Sequence, residues 1–198
     1  MATIDAQLVK QLREKTGAGI MDCKSALSEC DGDIEKAIDF LRKKGLATAK
    51  KRAGRETSEG VICSYIHMGG KIGVMVEVNC ESDFVAKTDD FIEFAKNIAM
   101  HIAAASPVSI AEEDVPEALI NREKEIYHQQ AIEMGKPEKM IDKIVEGKIK
   151  KFYKESCLMY QSYVRNPDIT IADLLNEVIA KIGENIKIKR FVRYQLGE

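Results

Sequence analysis

The sequence holds little with which to do chemistry of its own. Tryptophan is absent, and the three histidines, His67, His101 and His128, each stand alone in their segments. The five cysteines, Cys23, Cys30, Cys63, Cys80 and Cys157, are odd in number and widely spaced, with no C-x-x-C pair. That argues against a disulfide framework and against a tetrahedral zinc site. Free thiols persist best in a reducing compartment, so the cytoplasm is the expected setting. No stretch approaches the ~18 consecutive apolar residues of a membrane helix. The start, Met1 to Gln7, lacks the basic and apolar regions of a signal peptide. The P-loop pattern, G-x-S-x-G and H-E-x-x-H are all missing. Gly17-Ala18-Gly19 follows a helical pattern rather than a strand, which disfavours a dinucleotide fold. Glu81, Asp83, Asp89, Asp90 and Glu93 form an acidic cluster without the glycine-punctuated spacing of a calcium loop. No catalytic residue, metal or cofactor is expected.

What is present is enough for a core. Of 198 residues, 45% are apolar and 31% charged, which places the chain among globular proteins. The net charge of −2 hides an asymmetry. Residues 1–55 carry 12 basic and 8 acidic side chains, whereas the remainder carries 18 and 24. Arg42, Lys43, Lys44, Lys50, Lys51, Arg52 and Arg55 crowd together with no acid between them. Such a run can bind nucleic acid. Without interleaved aromatics to stack on bases, a solvated helix end and linker is the simpler reading.

Periodicity predicts an α+β fold. Residues 1–45 read as three short helices, a small compact module. Ile4, Leu8 and Leu12 repeat at helical spacing after Thr3 as cap. A second helix runs from Ile20 through Leu27. A third opens at Asp33, buries Ile34, Ala37, Ile38 and Leu41, and ends at Gly45. Residues 46–55 follow as a basic linker, and 56–198 form the core. From Gly60 the period falls to two. Val61–His67 and Ile72–Cys80 read as strands joined by Met68-Gly69-Gly70-Lys71, with Val74, Val76, Val78 and Cys80 on one face. Helical spacing returns at Thr88, with Phe91, Ala95, Ile98, Ala99 and Ile102 inward, and stops at Ser106-Pro107. Residues 111–155 read as an antiparallel helical hairpin bent at Gly135-Lys136-Pro137. Asn166-Pro167-Asp168 reads as a turn, followed by a helix through Ile182 that Gly183 ends and a last strand from Ile186 to Leu196. Without βαβ alternation, the sheet is expected to be antiparallel and packed with helices.

Two segments carry a resemblance. Leu12-Arg13-Glu14-Lys15-Thr16-Gly17-Ala18-Gly19-Ile20-Met21-Asp22-Cys23-Lys24-Ser25-Ala26-Leu27 resembles the N-terminal signature of the elongation factor Ts family, and Glu77-Val78-Asn79-Cys80-Glu81-Ser82-Asp83-Phe84-Val85-Ala86-Lys87 resembles its second signature, at the usual separation. Met134-Gly135-Lys136-Pro137, Ile182-Gly183-Glu184-Asn185-Ile186 and Ile98–Ala103 are similar to it as well. Ser82 stands where the family usually has threonine, which keeps the hydroxyl and drops a methyl. Longer members carry a core of two related halves. This chain has room for one and looks like the short bacterial form, whose uncovered sheet edge or apolar surface a homodimer would hide.

The resemblance implies a guanine-nucleotide exchange factor for elongation factor Tu, binding that protein both with GDP and without nucleotide. It implies no membrane and no direct nucleic-acid partner. Carried over residue by residue, it points to Asp83 and Phe84 as the principal contacts, flanked by Ser82 and Val85. Arg13, Ile20 and Met21 supply a second contact, and His101, Ile182, Gly183 and Glu184 match further contact positions. The residues by themselves leave other readings open. Taken without the resemblance, Phe84 reads first as core with Asp83 as a cap, and Met21 is open to packing in the three-helix module. The whole chain also reads as a non-enzymatic ubiquitin-associated-like interaction module with a different partner.

Overall fold

The computed structural model of the chain describes residues 4–198. Three helices come first: α1 (Ala6–Thr16), α2 (Ile20–Glu29) and α3 (Ile34–Arg52). The expected cap Thr3 lies outside the described residues. Asp5 caps α1, its carboxylate accepting from the Gln7 amide at 3.0 Å. Asp33 caps α3 as expected, accepting from Lys36 N–H at 3.1 Å. Leu12, Cys23, Ala26, Leu27 and Ala37 form a small buried core between the three helices, with Ile4, Leu8, Ile34, Ile38 and Leu41 packed around it. Ion pairs cross its surface, Lys15 to Glu35 at 3.6 Å and Lys44 to Asp22 at 2.8 Å.

The expected stop at Gly45 and the linker after it give way to unbroken helix as far as Arg52. Two physical reasons apply. Leu46-Ala47-Thr48-Ala49-Lys50-Lys51-Arg52 is rich in good helix formers, which carry the helix onward without help. Gly45 is buried, and a Cβ placed on it would meet the Ala180 methyl at 3.5 Å. This glycine serves close helix approach, not termination.

Strands β1 (Glu59–Ile66), β2 (Ile72–Cys80) and β5 (Ile186–Gln195) form a three-stranded sheet in the order β1-β2-β5. Val74, Val76, Val78 and Cys80 are buried on one face, as the alternation predicts. The short helix α4 (Asp83–Ala86) links β2 to α5 (Asp89–Ala105). Along α5 the predicted stripe of Phe91, Ala95, Ile98, Ala99 and Ile102 is buried in full. The hairpin of α6 (Glu117–Glu133) and α7 (Glu138–Ser156) turns at Gly135-Lys136-Pro137. Its helices are tied by Lys148, whose ammonium donates to Gln130 at 2.6 Å and lies over the Tyr127 ring.

Asn166-Pro167-Asp168 differs from expectation. It is not a turn but opens strand β4 (Asn166–Thr170), which pairs antiparallel with β3 (Ser162–Tyr163). Proline is tolerated there because a two-stranded ribbon has only edges. Helix α8 (Ile171–Ile182) then leads to β5.

The chain divides into two compact units. The first comprises the residues up to Cys63, Val76–Asn97 and Asp173–Lys189; the second comprises Ser64–Met75, Ile98–Ala172 and Arg190–Glu198. No helix among the described residues is long and apolar enough to cross a membrane.

Candidate functional site

The first unit presents a tight connection between β2 and α5. Ser82 has extended backbone angles and caps α4, its hydroxyl accepting from Val85 N–H at 3.4 Å. Asp83 and Phe84 therefore begin the helical turn, and Asp83 is not the cap. Ala86 is buried and anchors the turn, whereas Phe84 is 81% exposed. Large aromatic rings are costly to leave in water, so one displayed on a fixed turn is what an interaction site requires. Beside it, the Asp83 carboxylate accepts from the Lys87 ammonium at 2.7 Å. That hydrogen bond holds Asp83 below the usual carboxylate range, so it is ionised at neutral pH.

A clasp lies behind the turn. Gly183 ends α8 at φ 87°, a conformation that favours glycine, and the chain reverses so that Glu184 and Asn185 face the 81–82 corner. The Glu184 carboxylate accepts from the amides of Glu81 and Ser82 at 3.1 and 3.0 Å, and from the Ser82 hydroxyl at 2.6 Å. In return, the Glu81 carboxylate accepts from Asn185 N–H at 2.6 Å and faces Arg55 at 3.3 Å. The Asn185 amide holds Glu81 below its ordinary range. The Asn185 side chain is buried and donates to Arg55 C=O at 2.8 Å. Cys80 sits at the strand end, and burial pushes its thiol up to about 11, so it is not a ready nucleophile.

Lys181 connects this region to the N-terminal turn. Its ammonium pairs with Asp90 of α5 at 2.7 Å, while its stem runs 3.9 Å from the point where a Cβ on Gly17 would stand. At that turn Thr16 holds the backbone by donating to Leu12 C=O at 2.7 Å. Ile20 and Met21, in the first turn of α2, are 55% and 74% exposed, and Arg13 is exposed on α1. The inward face of α2 is supplied by Cys23, Ala26 and Leu27, which leaves Met21 outside the packing.

The fold thus brings Ser82, Asp83, Phe84, Val85, Ile182, Gly183 and Glu184 into one constellation, with Arg13, Ile20 and Met21 in the same unit. His101 departs from the expected role as a contact residue. It is 0% exposed and belongs to the second unit. Its Nδ1 accepts from Val164 N–H at 3.4 Å, which leaves the proton on Nε2 to donate to Gln161 Oε1 at 3.0 Å. Gln161 is oriented by its own amide, which donates to Glu155 C=O at 2.7 Å. A ring so enclosed ties α5 to the 161–164 segment and offers nothing to a visiting surface. Burial lowers its pKa, so the folded chain takes up the proton at a lower pH than the unfolded chain, which does so near pH 6.5. The stability this gives is complete above about pH 6.5 and is lost as pH falls below it. Thermal unfolding should therefore shift down between pH 7.5 and 5.5, and the shift should shrink in His101→Asn.

No pattern in the sequence joins Arg55, Glu81, Lys87 and Asn185 to the 82–84 turn. Their partners are remote in the chain or visible only as a local i,i+4 pair, and the sequence carries no pattern that marks the clasp. The acidic cluster is dispersed, with Glu81, Asp83 and Asp90 holding Arg55, Lys87 and Lys181 respectively. Within the basic run, Arg42 pairs with Asp173 at 2.8 Å, alongside the Lys44 and Arg55 pairs. Among the described residues no group of three or more His, Cys, Asp or Glu could hold a metal ion.

Comparison with known proteins places the whole chain. A family profile described as Elongation factor TS matches residues 32–198. Elongation factor Ts of Desulfosudis oleivorans is 73% identical over 198 residues, all of both chains. Elongation factor Ts of Thermoanaerobacter sp. is 62% identical over 195 residues, covering 98% of this chain and 96% of its own. That of Syntrophus aciditrophicus is 59% identical over 195 residues, covering 98% and 97%. The chain belongs to the elongation factor Ts family, proteins of translation elongation.

Proposed function

We propose that this chain is the guanine-nucleotide exchange factor for elongation factor Tu and acts in the cytoplasm. The observation that carries the reading is Phe84, an aromatic ring left in solvent at the start of a capped, anchored turn. Exchange requires no acid, base or nucleophile. It requires tighter binding to the nucleotide-free partner than to the partner holding GDP, and linkage makes that preference reciprocal, so the factor weakens the grip on GDP. Phe84 supplies the wedge between partner elements. Asp83, ionised beside it, competes for hydrogen bonds around the partner's magnesium site. Arg13, Ile20 and Met21 form a second contact on the partner, with apolar side chains suited to a groove. Val85, Ile182 and Gly183 border the wedge. Immobilised chain should capture elongation factor Tu·GDP and release it when excess GDP is added. Retention that ignores added GDP overturns the reading.

The chain further acts as a homodimer on this reading. Ile66, Met75, Val192 and Tyr194, all on strands within the second unit, are exposed. Apolar strand residues in water favour a covering surface, and a second copy supplies one. Sedimentation at micromolar concentration should show a species near twice the 22.1 kDa chain mass. A single species at the chain mass overturns the dimer.

A further inference from the structure

We infer that Glu184 is a positioning residue for Phe84, acting through the chain's own backbone and not by touching the partner. The inference rests on the proposed wedge role of Phe84 and adds the part that aims it. Glu184 spends its carboxylate on three internal donors: the amides of Glu81 and Ser82, at 3.1 and 3.0 Å on one oxygen, and the Ser82 hydroxyl, at 2.6 Å on the other. The hydroxyl hydrogen is committed to Glu184, so the Ser82 oxygen has its lone pairs free for Val85 N–H and caps α4. Glu184 thereby sets the rotamer of the cap, the cap sets the first turn, and the first turn sets where Phe84 leaves the surface. Glu81 closes the clasp from the other side through Asn185 N–H at 2.6 Å. Each end of the corner holds the other, so the chain cannot pivot at 81–82 without breaking charge-assisted hydrogen bonds. An exposed aromatic side chain on a loose loop would give up much of its binding energy to ordering; one on a clasped turn keeps it.

The test uses the full chain and measures release of fluorescent GDP from elongation factor Tu over a range of factor concentrations. Glu184→Ala should lower the maximal release rate by about ten- to a hundredfold, the scale expected when a reacting or binding group is misplaced by about an ångström. Glu184→Gln retains one acceptor and should fall between Glu184→Ala and the unmodified chain. Ser82→Ala should lower the maximal rate as well, Ser82→Thr should restore it, and Ser82→Ala combined with Glu184→Ala should be no worse than the poorer single variant. In the isolated protein, amide hydrogen exchange at Ser82 and Val85 should speed up in Glu184→Gln, a readout that holds whether or not a partner is present. Unchanged exchange at those amides, or additive losses in the double variant, overturns the inference. So does a higher half-saturating concentration at an unchanged maximal rate, which marks Glu184 as a direct contact. Phe84→Ala is measured in the same series. Release left unchanged by Phe84→Ala overturns the wedge reading, whereas release slowed by Phe84→Ala but not by Glu184→Gln overturns the positioning role alone.

Discussion

On the proposed exchange role, Phe84→Ala should slow GDP release from elongation factor Tu by about thirty- to a hundredfold while leaving thermal unfolding where it is. The magnitude follows from the apolar surface the ring can bury in a partner, roughly 2–3 kcal/mol, with each 1.4 kcal/mol worth a factor of ten. The silence on stability follows from its position. Phe84 is 81% exposed, so truncation removes almost no packing and opens no cavity. Release kinetics and a melting curve on the same preparation decide the matter. A variant that melts early has lost structure, and a variant that releases GDP at the unmodified rate removes Phe84 from the mechanism.

Seven residues later the same substitution should do the reverse. Phe91 is 0% exposed on the inward face of α5, where Phe94 and Ala95 continue the buried stripe. Phe91→Ala deletes a ring from packed surroundings, and such deletions cost about 3–5 kcal/mol from lost transfer energy and the cavity left behind. At 2–4 °C per kcal/mol for a chain of this size, the unfolding midpoint should drop by about 10 °C. Any loss in the proposed exchange assay should return on cooling, because the Asp83-Phe84 turn itself is untouched. The two phenylalanines thus form a matched pair, one whose removal is read in kinetics and one whose removal is read in calorimetry.

Elements governed by local pattern were legible in the sequence. The alternation from Val74 to Cys80, the α5 stripe and the bend at Gly135-Lys136-Pro137 all depend on neighbours a few residues away, and period together with the breaker residues of the bend locates them. Features decided by distant neighbours were not. Gly45 looks like a helix end until Ala180 lies against it. Asn166-Pro167-Asp168 has turn composition, but pairing with Ser162 and Tyr163 draws it into a strand. The resemblance points to His101 as a contact residue, and only the segment around Gln161 shows why it is enclosed. Within the site, the resemblance supplied Asp83 and Phe84, and the structure supplied the outward direction of the ring. The resemblance marks Ser82 and Glu184 alike as contact positions, yet they bond to each other across about a hundred residues of chain. No single-sequence signal reports such a bond, because neither residue alters the other's local pattern.

The unbroken helix α3 has a geometric consequence. A rod has phase as well as length. Each residue added to or removed from the segment 46–52 turns everything ahead of it by about 100° and shifts it by about 1.5 Å. The bearing of Met21 relative to the rest of its unit therefore depends on the number of residues in that segment as well as on the contacts of Gly45 and Arg42 with α8. Excision of a whole turn would cost some reach but nearly restore the bearing, whereas loss of one residue would swing the early helices out of alignment.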